Sequence, residues 1–237
     1  MKKNIFVTGV TRMRGGFACV SGLDDLGKFV RPEIHYPDRP GIKTDYLYVN
    51  NQVVIRPLAI VEMEFLRQIP KQSFHTEDWE IDGSVKPRLI ALPNEKERLN
   101  ILSRHTDQSL DRALGDQSRS IVIIAPKNTP TIEIKTWEDQ LQCHFSFYDE
   151  AGDYHRHLRV TDANWLAVCK HLWHKDRFST STKLSHLIGG KQLFLRIGIT
   201  REWKSQVWRQ VSGVFSVPDW LNGKCFADFN YDFDDHV

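Results

Sequence analysis

Apolar and polar positions alternate with period two along much of the chain, and that pattern predicts a β-rich protein. Lys3–Val10 reads as a first strand, with Phe17–Ser21 as its hairpin partner across a turn at Gly15-Gly16. Gly27–Pro32 reads as a third short strand stopped by proline. Residues 32–46 hold three prolines, several charges and little periodicity, which predicts a long loop. In Leu58–Phe65, Val61, Met63 and Phe65 face one way and Glu62 and Glu64 the other, the pattern of a half-buried strand. Pro93-Asn94 opens a helical stretch to about Arg104, and a second, shorter one after Asp107 ends at Gly115. Ser120–Ala125 is a continuous apolar run suited to a buried strand.

Pro126-Lys127-Asn128-Thr129-Pro130 holds two prolines and no apolar residue. It is the predicted boundary between a first domain, 1–127, and a second, 128–237. Beyond it, Cys143, Phe145 and Phe147 alternate with His144, Ser146 and Tyr148; Gly152-Asp153 makes a turn, and His155–Val160 returns. Asp162 caps a helix running to about Trp173, with Trp165, Val168, Cys169 and Leu172 on one face. Residues 174–191, rich in Ser, Thr, Lys and His, read as a mobile connection; Leu193–Thr200 and a second hairpin follow. The acidic, aromatic tail D-F-N-Y-D-F-D-D has the composition of a partly disordered segment. Each half thus has about five short strands and a helical insertion. The expected fold is mainly β with helical insertions, as two OB-like small β-barrels packed together. A single β-rich α+β domain is the alternative.

Composition changes this picture little. The 237 residues suffice for two small domains or one large one, and 41% hydrophobic content is enough for a packed core. With 32 Lys and Arg against 30 Asp and Glu, the net charge of +2 leaves no bulk footprint for nucleic acid, so any such binding must come from local basic patches. The four cysteines are scattered and form no C-x-x-C pair, which argues against a zinc ribbon or a thioredoxin-type site. The start M-K-K-N-I-F-V-T-G is too short in apolar residues for a signal-peptide core, and no run approaches about 18 apolar residues. The expectation is a reducing cytoplasm and no membrane partner.

The candidate chemistry lies in a phrase that occurs near both ends. Residues 9–22 read G-V-T-R-M-R-G-G-F-A-C-V-S-G and residues 198–213 read G-I-T-R-E-W-K-S-Q-V-W-R-Q-V-S-G. Each reads as a β-hairpin with a basic turn, and the two hairpins are expected to lie side by side in similar modules. Arg12, Arg14, Lys28 and Arg31 supply cations in the first, and Arg201, Trp203, Lys204, Trp208 and Arg209 supply cations and stacking faces in the second. Guanidinium groups beside a glycine turn suit phosphate contacts, and exposed tryptophans suit base stacking, so single-stranded nucleic acid is the expected partner. The competing reading has the arginines solvating a surface hairpin and the tryptophans filling a core.

His75, Glu77 and Asp78 could hold a divalent metal or share a proton in hydrolysis, which makes a metal-dependent hydrolase the alternative function. Turn or capping roles compete, and no further ligand is identifiable. His171 and His174, with His155 or His157, lack the spacing of a zinc site. Phosphate-binding and dinucleotide glycine loops are absent, as are the common hydrolase motifs. No catalytic residue, metal or cofactor is assigned.

T-R-M-R-G-G-F-A-C-V-S-G…G-K-F-V-R-P near the start, F-H-T-E-D-W in the middle, and L-R-I-G-I-T-R…W-R-Q-V-S-G-V-F-S-V-P-D-W at the end together resemble the bacterial dual OB-fold domain proteins. The resemblance covers nearly the whole chain in order. It implies a pair of OB folds in a protein of defence or mobile-element contexts, and it brings no catalytic residue. The function it favours is non-enzymatic: nucleic-acid binding, or an adaptor for a larger effector such as a helicase or nuclease. A pure protein-interaction module stays open.

Overall fold

The computed structural model describes residues 1–36, 40–70, 74–115, 118–137, 140–202 and 206–233. Its first half is built on β1 (Lys2–Met13), β2 (Phe17–Asp24) and β3 (Phe29–Glu33). The short strand β4 (Ile42–Lys43) interrupts the expected loop, β5 (Tyr48–Val49) and β6 (Gln52–Val53) come just after it, and β7 (Ile60–Gln68), β8 (Asp78–Ile81) and β9 (Arg88–Ala91) follow. β1 pairs with β2 along its length and with β7 through Lys2–Phe6; β7 pairs with β8, and β8 runs parallel to β3. The circuit β1-β2-β3-β8-β7-β1 is a closed five-stranded barrel. Its interior is set by the predicted alternation. Val61, Met63 and Phe65 are buried, while Glu62 faces outward to Lys2 and Arg88.

The connection carries α1 (Glu95–Arg104), β10 (Thr106–Asp107), α2 (Leu110–Gly115) and β11 (Ile121–Ile124). Asn94 caps α1 in a reciprocal box with Glu97, as the Pro93-Asn94 start predicts. The second half comprises β12 (Thr131–Trp137), β13 (Gln140–Tyr148), β14 (Tyr154–Val160), α3 (Ala163–Lys175), α4 (Thr180–Ile188), β15 (Gln192–Ile199) and β16 (Arg209–Val217). These strands form an open seven-stranded sheet in the order β10-β11-β15-β16-β14-β13-β12, with β14 and β16 parallel. Among the described residues β12 has no ladder to β15. β15 pairs with β11 instead, and α4 packs against β12.

Two expectations are corrected here. Residues 174–191 are not an irregular connection: α4 occupies half of them, because Thr180, Leu184 and Ile188 recur every four residues and are buried within a polar composition. The acidic tail is docked as far as residue 233, with Phe233 packed in the barrel core and Phe229 and Tyr231 against it.

Helix α3 joins the two cores. Its small residues Ala163 and Ala167 pack against the barrel interior, and Trp165, Val168 and Cys169 pack in the second core. A third apolar cluster, with Phe6, Leu23 and Leu58 from the first half and Ile123, Phe194 and Phe215 from the second, fills the space between the sheets. Both echoed phrases form hairpins, but at different places: β1–β2 opens the barrel, whereas β15–β16 supplies the last two strands of the second sheet. They do lie against each other. A side chain at Gly213 would come within 2.7 Å of the Thr8 carbonyl, and one at Gly9 would strike Arg196 Nη1.

Candidate functional site

Of the residues predicted to bind, Arg12, Arg31 and Arg201 meet at the junction of the two halves, with Arg14 beside them, and much of their charge is already engaged there. Val30 points into the barrel, so alternation sends Arg31 and Glu33 outward toward the second sheet. Arg31 Nε donates to Asp78 Oδ1 at 2.5 Å, and its Nη2 lies 3.7 Å from Glu77 Oε1. Arg201, just beyond β15, donates through Nη2 to Glu33 and reaches Asp78 Oδ2 at 3.5 Å. Ser120 donates its hydroxyl hydrogen to Glu77. Cations and carboxylates of both halves are thereby joined in one largely buried lattice, with Arg201 at its half-exposed edge. Burial opposes the charge on Arg31, but neighbouring Cys19, Asp78 and Glu77 carry its pKa above the usual arginine value. Burial pushes Asp78 up against the pull of Arg31. His75, 3.4 Å from the Ile199 carbonyl, is driven down to about 4 by burial and by Arg31.

A second buried pair lies alongside. Arg196 donates to Ser212 Oγ at 2.8 Å, in space that Gly9 leaves open, and burial lowers its pKa to about 10. Asp162 accepts from the Trp165 amide at 2.7 Å to cap α3, and burial raises its carboxyl to about 7. The backbone bridge between Thr11 and Asp162 ties β1 to that cap.

Next to this lattice is a cavity of about 340 Å³, lined from the first half by Arg12, Arg31 and Glu33 and from the second by Thr161, Arg201 and Gln210. Arg12 Nε donates to the Phe233 carbonyl, and Arg14 is exposed at the turn beside it. Arg159 of β14, opposite Gln210 in register, has its pKa lowered by burial and by the positive charges of Arg12 and Arg14. The remaining predicted residues are dispersed. Lys28 borders a separate cleft of about 610 Å³ with Trp79 and Arg104; Trp208 and Arg209 line a smaller hollow with Phe74, and Arg209 pairs with Asp111. Trp203 and Lys204 lie outside the described residues.

Arg159 leads onto a surface that the sequence reading passed over. The outer face of β12–β14 carries Lys135, His144 and His157, with the rings of Trp137, Tyr148 and Tyr154 exposed by 66%, 45% and 52%. His144 and His157 stack at 3.9 Å, and Glu133 accepts from His157 Nδ1 at 3.0 Å. Tyr148 and Tyr154 pair across the strands at 4.7 Å. The two aromatic ends are separated by the length of β13, roughly 26 Å at about 3.3 Å per residue. The signal was present in the sequence: Glu133, Lys135 and Trp137 alternate with Ile132 and Ile134, as His144, Ser146 and Tyr148 do with the phenylalanines.

No protein-family model matches the chain, and no curated protein matches it in sequence.

The three residues of the metal alternative are part of the junction lattice or packed beside it. Glu77 and Asp78 both serve Arg31, and His75 is wholly buried beside it. Among the described residues no group of three His, Cys, Asp or Glu side chains is placed to hold a metal ion. The other histidines are used separately: His155 pairs with Asp149 at 2.9 Å, while His171 and His174 line a shallow pocket beside Phe229. Among the described residues no helix is long and apolar enough to cross a membrane.

Proposed function

We propose that this protein binds single-stranded nucleic acid, without catalysis, along the outer face of β12–β14 and onto Arg12 and Arg14. The observation that carries the reading is the sheet face itself: Lys135 and Arg159 lie on one surface with the exposed rings of Trp137, Tyr148 and Tyr154. Phosphates need cations and bases need flat apolar faces, and a roughly 26 Å track offers both to several nucleotides at once. The strand order supports an OB-like reading of both halves. The barrel's long strands are joined as first, second, third, fifth and fourth, with the third and fifth parallel, and β12, β13, β14, β16 and β15 repeat that order without closing. β13 and β14 then take the place of the second and third strands, whose face binds oligonucleotides in OB folds.

Fluorescence anisotropy with labelled single-stranded DNA and RNA tests the reading. Trp137→Ala is expected to weaken binding by about 1–3 kcal/mol, as the loss of one stacking platform. Absence of binding by the folded wild type at low salt contradicts the proposal. One observation favours the adaptor as the second reading: β9 pairs only with β7 among the described residues and exposes Leu89 and Ile90, with Leu92 just beyond it. An exposed apolar edge of that kind suits a protein partner.

A further inference from the structure

The junction cavity is continuous with the proposed track, since Gln210, which lines it, pairs with Arg159 on the sheet. We infer that this cavity seats one nucleotide: a terminal or turned-out nucleotide of a bound strand, or a free nucleoside monophosphate. The choice of ligand class rests on the single-strand reading, whereas the site rests on its own lining.

A volume of about 340 Å³ stands near the lower bound of small-molecule sites, which span about 300–1,000 Å³, and is too small for a helix or a duplex. Met13, Pro32, Pro40 and Ile199 supply apolar surface for the faces of a base. Glu33 supplies an acceptor whose direction is fixed by Arg201, suited to the exocyclic amine or ring N–H of a base. Gln210 supplies both a donor and an acceptor. Arg12 lies in the lining and Arg159 opposite Gln210, where a phosphate attached to that base meets two guanidinium groups. Two residues of this lining also carry incompletely satisfied atoms: among the described residues, Arg201 Nε and Arg31 Nη2 are buried without a hydrogen-bond acceptor. An inorganic anion would use the cations and waste the apolar flank. A nucleotide uses both.

Titration calorimetry of the full chain with AMP, GMP, CMP, UMP and inorganic phosphate tests the assignment. At least one nucleotide is expected to bind, with inorganic phosphate weaker by about tenfold or more, equivalent to about 1.4 kcal/mol. Gln210→Leu removes the amide and Met13→Trp fills the space, and each is expected to weaken nucleotide binding by a similar factor; neither side chain belongs to the ionic lattice. If Met13→Trp fails to melt cooperatively, Gln210→Leu decides. Trp137→Ala, on the sheet track, is expected to leave mononucleotide binding intact. Displacement of bound mononucleotide by an oligonucleotide assigns the site to a strand, and its persistence assigns it to the free nucleotide. Strand binding with no mononucleotide binding overturns the cavity and spares the track. Mononucleotide binding with no strand binding supports the cavity and sinks the track. Equal affinity for inorganic phosphate overturns the assignment.

Discussion

Arg31 faces two carboxylates, Asp78 and Glu77, at the junction while only 7% exposed. Removing one member of a buried ionic group strands the others, a loss of about 3–5 kcal/mol. Arg31→Ala is therefore expected to lower stability by that order in urea unfolding, and a loss below about 1 kcal/mol, as for an exposed pair, contradicts the lattice. Asp162 gives a pH-dependent prediction. Its folded pKa of about 7 lies above the unfolded value near 3.9, so between these pH values the native state holds a proton that the unfolded chain has released. This contribution falls as pH rises through that window and is gone above it. Asp162→Asn keeps an oxygen for the Trp165 amide and carries no charge, so the variant's stability relative to wild type is expected to be higher at pH 8 than at pH 5. An equal difference at the two pH values contradicts the buried, near-neutral carboxyl. His75 has the opposite sign: its pKa of about 4 is below the unfolded value, so its contribution is lost as pH falls from about 6.5 toward 4.

At the scale of elements, β7 and α3 could be read from the chain because period matched burial. Val61, Met63 and Phe65 are interior, and Trp165, Val168 and Cys169 share one buried helix face. Helix α4 was hidden because Ser, Thr, Lys and His dominate its composition, and its buried positions number only Thr180, Leu184 and Ile188. Leu184→Ala is expected to cost about 2–5 kcal/mol in urea unfolding, the range for a buried leucine, and a loss below about 0.5 kcal/mol contradicts a packed helix here. The echoed hairpins were legible as hairpins but not as partners in charge. Sequence puts Arg31 and Arg201 on a binding surface, whereas long-range pairing buries Arg31 against Asp78 and engages the half-buried Arg201 with Glu33. No local pattern reports a contact between residues 168 positions apart. The face of β12–β14 forms no motif in the sequence, since its cations and rings are spread over three strands.

At the scale of the molecule, the two halves share their interiors. α3 and the segment 225–233 enter the barrel core, the apolar layer around Phe6, Phe194 and Phe215 lies between the sheets, and the ionic lattice closes one side. That arrangement holds Arg12 and Arg14 from the first half against Arg159 from the second, so one basic patch needs both. Net charge of +2 misses this patch because acidic residues elsewhere cancel it. The most direct test of the account is the salt dependence of single-strand affinity, measured for wild type and for Arg14→Ala/Arg159→Ala. The prediction is a linear fall of log K with log salt, its slope shallower in the double variant by about 0.7 per phosphate contact removed. Wild-type binding with no salt dependence, or a slope unchanged by the two substitutions, contradicts the proposed interface.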